Sequence, residues 1–427
     1  MDYFRRELSP YVFLTALRTD QFKTGLISAT LLTQLNRQQA SENAVLPYVL
    51  RRGTASAPDM RAFSARLDGL YGASIEPVVR KLGEIHAIGF AADFPEDRFL
   101  PGEPAVLSEV VRLLGELWLS PNTRGGLFLP DYVDSEREKL LERLDAMRND
   151  RRGWALRQLV ENMCSMEDYA VSAMGSPDEA ENIHYVKLTK DYRSLLSVSP
   201  MEFFYCGSRP GEEVAELLGS SLLLLPRGEV DLELGTDVRM NALESEPRYF
   251  TGEMDVTQGN LAMGFRLGKC MEDPDEAAIR VFNAVYGGCV TSKLFTNVRE
   301  RMSLCYYASS GVDLHKGIMT VSSGIDFDKY DPAREEILAQ LDAMRRGEIT
   351  PEELSAAKKA AANSMRTVSD SPGALESFYL SQAVKGLDAS PMDMAALIED
   401  VTVDQVVEIA GGVELDAVYF LKGEDAQ

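Results

Sequence analysis

Histidine is scarce in this sequence, which has only three in 427 residues. His86, His184 and His315 are far apart, and none has a cysteine or another histidine at helical spacing. A zinc hydrolase normally uses three nitrogen, sulfur or carboxylate ligands, usually including a close pair on one element. We therefore interpret each histidine as a surface residue or a satisfied polar residue rather than as a metal ligand.

Cysteine is also sparse: five residues, odd in number and without zinc-site spacing, which indicates reduced thiols in a cytosolic protein. Residues 1–10 lack the apolar core of a signal peptide. The longest apolar run, residues 222–225, is far too short to cross a bilayer. These absences predict a cytoplasmic protein. The cysteines are Cys164, Cys206, Cys270, Cys289 and Cys305.

Positive charge is in short supply, because 44 basic residues oppose 67 acidic ones and leave a net charge of −23. Such a surface repels nucleic acid and anionic membranes, so we expect neither as a partner. The sequence also lacks a Gly-x-Ser-x-Gly element and a phosphate-binding loop that ends in Lys-Ser or Lys-Thr. Carboxylate pairs are too abundant for a catalytic dyad to be argued for or against.

One order of elements is repeated in the two halves: a strand, two helices, a hairpin and a helical layer. This order predicts an α+β fold of two similar domains, a duplicated unit in which each domain is a mostly antiparallel sheet covered on one face by helices. The predicted strands and hairpins lie at residues 22–35, 78–94, 202–206, 259–267, 306–326 and 417–421, and the helices at 41–52, 59–71, 104–119, 130–149, 212–225, 275–286 and 292–302.

Residues 226–247 are rich in charged and turn residues and lack periodicity, which predicts a linker between domains at 1–225 and 248–427. Two later helices in the second domain have recognisable starts. Asp331 before Pro332 predicts an N-cap and a first-turn proline. Thr350 and Glu353 predict a capping box.

The sharpest local pattern begins at Gly287-Gly288. A glycine turn precedes a helix with Thr291 or Ser292 as its N-cap, and Arg299 falls near the end of that helix. Tyr306 begins the next strand. Taken alone, the pattern describes a helix–strand corner. The predicted buried stripe of the helix is Leu294, Phe295 and Val298.

With the order of elements, this pattern resembles the second domain of the insulinase, pitrilysin and mitochondrial processing peptidase family. In active relatives, the equivalents of Arg299 and Tyr306 reach toward the scissile peptide, where arginine donates to a carbonyl or carboxylate and tyrosine stabilises an oxyanion. The resemblance implies that these two residues, with Gly287 and Gly288, contact a peptide. The matching residues are Gly287, Gly288, Ser292, Lys293, Leu294, Phe295, Arg299, Glu300, Leu304 and Tyr306.

The first domain departs from this family at the zinc site. Active members carry His-x-x-Glu-His on a helix before Gly-Thr, with two zinc-binding histidines and a glutamate base. Gly53-Thr54 anchors the comparison, which places Ala44 and Tyr48 at the histidine positions and Pro47 at the base. Pro47 also lacks an N–H, so we expect the helix to start late or kink there.

The third ligand of the family is a glutamate in a charged helix, and the comparison places Arg143 at that position, beside Glu142. A shift of one residue would restore a glutamate, but one carboxylate could not hold a metal alone. The resemblance therefore implies a chain that binds no zinc and needs no other cofactor. We expect it not to act as a peptidase on its own.

Degenerate members of this family often pair with an active one, and the two enclose a peptide. The chain looks most like the YmfF-type bacterial subunits of this family. The resemblance implies a non-catalytic peptide-binding subunit that pairs with a zinc-bearing homologue or with itself. Arg299 and Tyr306 would then assist the zinc site of the partner. Two alternatives stay open: a scaffold homodimer without peptide processing, and a hydrolase that uses a non-zinc site.

Overall fold

The computed structural model describes residues 1–102, 104–230, 234–239, 241–271 and 274–423. No helix within these ranges has the length and apolar character needed to cross a bilayer. The strands are β1 (Asp2–Ser9), β2 (Val12–Arg18), β3 (Thr24–Gln34), β4 (Ser74–Leu82), β5 (Ile85–Pro95), β6 (Thr123–Arg124), β7 (Leu127–Phe128), β8 (Met201–Gly207), β9 (Arg248–Met254), β10 (Gly259–Arg266), β11 (Tyr307–Asp313), β12 (Ile318–Ile325) and β13 (Glu414–Gly423).

The helices lie between and after these strands in the sequence. They are α1 (Ala40–Leu50), α2 (Met60–Gly69), α3 (Val106–Leu119), α4 (Pro130–Ala146), α5 (Arg151–Met163), α6 (Pro177–Glu181), α7 (Tyr185–Val198), α8 (Gly211–Ser221), α9 (Glu276–Asn283), α10 (Tyr330–Arg345), α11 (Pro351–Val368), α12 (Pro372–Val384), α13 (Pro391–Asp400) and α14 (Val403–Gly412). Two segments, Ala284–Gly288 and Leu294–Arg301, have the wider π-helical winding.

The two large sheets repeat one strand order. From the hairpin edge, β4-β5-β3-β8-β2 of the first sheet matches β11-β12-β10-β13-β9 of the second. In each sheet the last of these pairs is parallel and the others are antiparallel. β1 extends the first sheet by pairing antiparallel with β2. The predicted α+β fold with a duplicated, mostly antiparallel unit is confirmed.

The chain forms two compact units, and each is discontinuous in sequence. The first comprises residues 1–145, 171–235 and 371–386, and the second comprises residues 146–170, 236–370 and 387–427. Helix α5 therefore belongs to the second unit and α12 to the first. The sequence-based domains, 1–225 and 248–427, are continuous and do not include this exchange. The described residues of 226–247 contain no helix or strand.

Both faces of β3 in the first unit are covered, which explains its almost uninterrupted apolar sequence. Ile27, Ala29 and Leu31 belong to the large core cluster. On the opposite face, the Ser28 hydroxyl donates a hydrogen bond of 3.1 Å to Glu376 of α12. The helices predicted on one face are present, and the sequence did not predict this further helix on the other.

The second sheet has the same arrangement. Met263 and Phe265 of β10 face one hydrophobic core, whereas Ala262 faces a second core with Leu159 and Met163 of α5. Because alternate residues of a strand point to opposite faces, helices pack on both sides of β10.

The sequence predicts the starts of two helices in the second unit, and the structure confirms one of them. The Thr350 capping box is confirmed, since the Glu353 N–H donates to Oγ1 of Thr350 at 3.1 Å and the Thr350 N–H donates to Glu353 at 2.8 Å. The predicted N-cap at Asp331 is wrong, because α10 begins at Tyr330. Asp331 instead occupies the first turn, where a carboxylate is favoured near the positive end of the helix dipole.

Candidate functional site

Helix α1 carries the positions that correspond to the family zinc motif. It continues through Pro47 without a late start, and the Arg51 N–H donates to the Pro47 carbonyl at 3.0 Å. Ala44 and Pro47 are buried, whereas Tyr48 is partly exposed. The helix therefore includes Pro47 although that residue lacks an N–H, and the expected late start is wrong.

Arg143 of α4 lies against Tyr48 of α1. The guanidinium carbon is 4.0 Å from the centre of the Tyr48 ring, close enough for a cation–π interaction. Nε and Nη2 of Arg143 are shielded from solvent and have no hydrogen-bond partner among the described residues. The structure thus brings together two of the four sequence-predicted positions as a stacked cation and phenol.

A second contact of the same kind lies further along the two helices. Arg52, which follows α1, stacks over the ring of Tyr132 of α4 at 5.6 Å. Its Nε donates to the carboxylate of Glu136 at 2.7 Å, and Lys139 donates to the same oxygen at 2.9 Å. Sequence reasoning missed this cluster, although Arg52 lies one helical turn after Tyr48 and so on the same face.

Gly53-Thr54, the anchor of the family comparison, has a clear local role. A Cβ at Gly53 would come within 2.7 Å of the Pro58 carbonyl group, so only glycine fits. Thr54 is fully buried, and its hydroxyl donates to Glu116 at 3.0 Å. This turn fixes the end of α1 and thereby the direction of its Tyr48 face.

The side chains at the zinc-motif positions do not fit a zinc ion. Ala44 and Pro47 offer no donor atom, Tyr48 offers a phenol, and the guanidinium of Arg143 adds positive charge where a metal cation would sit. Within the part of the chain that the structure describes, no group of three or more histidine, cysteine, aspartate or glutamate residues could hold a metal ion. No chemical step through zinc follows from this geometry.

The three histidines lie in unrelated places. His86 is fully buried on β5, and burial lowers its pKa to about 4. His184 is exposed and N-caps α7 by accepting the Val186 N–H at 3.4 Å. His315 lies in the turn between β11 and β12. His86 and His315 are buried and His184 is at the surface, and the structure does not bring them together.

The predicted glycine turn of the second unit lies in π-helical backbone. A Cβ at Gly287 would come within 2.7 Å of the Ser310 backbone nitrogen, so the glycine allows close packing against β11. Ser292 accepts the Phe295 N–H at 3.3 Å, which supports Ser292 as the cap among the two candidates. π-Helical turns are frequent at functional sites.

Arg299 and Tyr306 are both accessible. The Arg299 side chain is 41% exposed and stacks over Phe295 at 4.7 Å. Tyr306 is 60% exposed, and its hydroxyl donates to Asp326 at 2.9 Å. This hydrogen bond raises the pKa of Tyr306, so the hydroxyl keeps its proton. Arg299 can therefore donate hydrogen bonds to a peptide, and Tyr306 can do so once its hydroxyl proton turns from Asp326 to the ligand.

Comparison with known proteins agrees with this geometry. Residues 182–361 match the family described as Peptidase M16 inactive domain. The chain is 31% identical to "Probable inactive metalloprotease YmfF" of Bacillus subtilis, and the match covers 100% of this chain and 99% of that protein.

Solved structures show the same fold over the whole chain. A conserved protein from Enterococcus faecalis V583 has a TM-score of 0.89 at 27% identity, and a Peptidase M16 inactive domain from Pseudomonas fluorescens has a TM-score of 0.81 at 16% identity. Both matches cover 100% of each chain. By its full-length identity to the Bacillus relative and by its matching fold, the chain belongs to the M16 peptidase family, the family of insulinase and the processing peptidases.

Proposed function

We propose that this chain is a catalytically inactive M16 homologue that binds peptides as the non-catalytic subunit of a complex with a zinc-bearing homologue. The observation that carries the proposal is the contrast between its two candidate sites. The zinc-motif positions hold Ala44, Pro47 and Tyr48, faced by Arg143, whereas Arg299 and Tyr306 are kept and accessible.

The chemistry of the first site supports the inactive assignment. Peptide hydrolysis by this family needs a metal to activate water and a carboxylate base to take its proton. Pro47 cannot accept a proton. The other motif positions, Tyr48 and Arg143, stack on each other and provide neither a carboxylate base nor an imidazole ligand. The relative from Bacillus subtilis is likewise named an inactive metalloprotease.

The site at Arg299 and Tyr306 supports a role in assisting catalysis by a partner subunit. A guanidinium donates readily to a peptide carbonyl or carboxylate, and a protonated phenol stabilises a developing oxyanion. Arg299 and Tyr306 would supply these groups to a peptide held at the zinc of the partner. The net charge of −23 favours peptides over nucleic acid or anionic membranes as ligands.

Co-purification and kinetics test this role directly. The tagged chain is isolated from its source cells, and we expect mass spectrometry to identify a zinc-bearing M16 homologue with it. The complex should cleave peptides, whereas the chain alone should not. Arg299→Gln or Tyr306→Phe should lower the kcat/KM of the complex by about 100-fold, the effect of losing one oxyanion donor.

Arg301→Gln is the matched control, because Arg301 is exposed on the same π-helical segment. We expect it to leave kcat/KM and thermal stability unchanged. Unchanged kinetics in the Arg299 and Tyr306 variants would rule out the role in trans. A homodimer that binds no peptide would favour the scaffold alternative, and cleavage by the chain alone would favour the hydrolase alternative.

A cytoplasmic location is part of the same proposal. No disulfide joins cysteines of the described residues. Burial raises the pKa of Cys164 and of Cys206 to about 12, so these two thiols stay protonated. Cysteines that form no disulfide suit a reducing compartment. Fractionation of cells with a tagged chain would test the location.

A further inference from the structure

The guanidinium of Arg143 presents hydrogen-bond donors that no group in the described ranges accepts. Nε and Nη2, which form one edge of the guanidinium, are both shielded and unpartnered. A charged donor that is buried without an acceptor is unfavourable, and a carboxylate is the acceptor that fits two parallel N–H groups. The Tyr48 ring covers one face of the guanidinium and leaves this edge as its hydrogen-bonding side.

Two further cations near the stacked pair, Arg52 after α1 and Lys139 of α4, already have an acceptor. Arg52 and Lys139 both bind one carboxylate, that of Glu136, at 2.7 and 2.9 Å. One carboxylate therefore serves these two cations, and no acceptor among the described residues pairs with Nε and Nη2 of Arg143. This edge of the guanidinium is thus left for an anionic group of a ligand.

We propose that Arg143, held by Tyr48, binds a carboxylate of a peptide ligand, either its C-terminal carboxylate or an acidic side chain. This inference rests on the proposed peptide-binding function and names the group that the peptide must carry. The position that the family comparison assigns to the third zinc ligand thereby carries an organic cation, which can hold an anionic ligand but cannot activate water. Tyr48 acts as a positioning residue, because it contacts Arg143 rather than the ligand.

Access to this edge requires the groups that shield Nε and Nη2 to move aside. Tyr48 and Arg143 are both partly exposed, so the pair lies at the surface rather than in the core. Rotamer changes of such side chains occur within nanoseconds. The incoming carboxylate replaces the shielding groups and pairs with Nε and Nη2.

Three labelled peptides of one neutral sequence test the proposal on the full chain. The first has a free C-terminus, the second is amidated, and the third is amidated with one internal glutamate. Fluorescence anisotropy at low salt gives their dissociation constants. We expect the amidated neutral peptide to bind about tenfold to 100-fold more weakly than one or both of the others, the effect of a charge-assisted hydrogen bond. Which of the two binds tightly identifies the source of the carboxylate.

Variants then assign the preference to the stacked pair. Arg143→Gln should abolish the preference for peptides that carry a carboxylate. Arg143→Lys should retain only part of this preference, because lysine keeps the charge without the planar fork. Tyr48→Phe keeps the ring and should retain the preference, whereas Tyr48→Leu should weaken it. Arg137→Gln, on the same helix, removes an equal charge and should leave the preference intact. The wild-type comparison of peptides needs no variant to fold.

The outcomes separate this inference from the proposed function. Equal binding of all three peptides to the wild-type chain would overturn the carboxylate site and leave peptide binding in place. A preference that persists in folded Arg143→Gln would overturn the assignment to Arg143. If no peptide binds, either to the chain alone or to its complex, both the inference and the proposed function fail.

Discussion

Arg266 of β10 and Asp416 of β13 form an ion pair of 2.8 Å, and both side chains are almost completely buried. Arg266 also donates to Glu167 at 2.7 Å, and Lys316 lies at 2.7 Å from the same carboxylate. Burial acts to raise the pKa of Glu167, but hydrogen bonds from the two cations outweigh it and the pKa is lowered. Glu167 is therefore ionised, and within the second unit it links residues 146–170 to Arg266 and Lys316.

Removing Glu167 should strongly destabilise the protein. Glu167→Ala leaves Arg266 and Lys316 with less compensating charge in a buried site, and the loss of one partner of a buried pair costs about 3–5 kcal/mol. Urea denaturation measures the free energy of unfolding. Asp168→Ala is the control, since Asp168 is exposed and should change stability by no more than about 0.5 kcal/mol. Equal effects of the two substitutions would contradict the buried ionic role.

The exchange of α5 and α12 predicts that the halves do not fold separately. Residues 248–427 alone lack Glu167 and the α5 side chains Leu159 and Met163, which cover one face of β10. We expect this fragment to unfold without a cooperative transition in near-UV circular dichroism. A fusion that restores residues 146–170 through a flexible linker should regain cooperativity. A cooperative transition in the fragment without α5 would show that the exchanged helix is dispensable.

The same exchange marks the limit of what the sequence predicts. Periodicity and caps locate α4 and α11, because those signals are local. The apolar stripe of α5, with Ala155, Leu159 and Met163, shows only that one face is buried. It does not say which sheet covers that face, because the partner strand β10 lies about a hundred residues away in the sequence. The sequence analysis missed α5 itself and several other elements, which are β1, β2, β6, β7, β9, α6, α7, α12, α13 and α14.

The candidate site was likewise predicted only in part from the sequence. A motif register alone singled out Tyr48 and Arg143 as substitutes for zinc ligands. Their stacking depends on how α1 and α4 pack, which no local pattern encodes. The neighbouring cluster of Arg52, Glu136 and Lys139 was missed for the same reason, since its members come from two helices.

Buried His86 predicts a loss of stability in mild acid. Its pKa is about 4 in the folded chain against an ordinary 6.5, so the unfolded chain binds the proton more tightly. Stability should therefore fall as the pH drops from about 6.5 toward 4, by up to about 3 kcal/mol for this residue. Denaturation at several pH values should show a smaller slope in His86→Gln.

The control for this experiment is His184→Asn, which removes an exposed histidine but keeps an N-capping side chain on α7. It should retain the wild-type slope between pH 6.5 and 4. A slope in His86→Gln as steep as that of the wild type would assign the acid sensitivity to other groups, the carboxylates foremost.

Gly287 predicts a packing constraint at the π-helical turn. In Gly287→Ala the new methyl group would meet the Ser310 backbone nitrogen at 2.7 Å and its hydroxyl at 2.6 Å. We expect a loss of about 1–3 kcal/mol, the usual cost of overpacking. Gly311→Ala on β11 has open space around its Cβ and serves as the control. Thermal unfolding gives the melting temperatures of both variants. Equal values would mean that the turn accommodates the added methyl group at little cost in stability.

Restoring the lost donors should create a zinc site. The combined variant Ala44→His, Pro47→Glu, Tyr48→His and Arg143→Glu places two imidazoles one helical turn apart and a carboxylate on the facing helix, a ligand set that zinc prefers. We expect it to bind about one zinc ion per chain by elemental analysis, and its melting temperature should rise when zinc is added, since a ligand that binds only the folded state stabilises it.

The variant that keeps Arg143 but carries the other three changes isolates the effect of the guanidinium. Its positive charge should repel the metal, so zinc should raise the melting temperature less than in the combined variant. The wild-type chain should show no zinc-dependent rise, because Ala44 and Pro47 offer no ligand atom and the guanidinium of Arg143 is itself a cation. A zinc-dependent rise in the wild-type chain, removed by Tyr48→Phe, would show that this phenol binds metal after all.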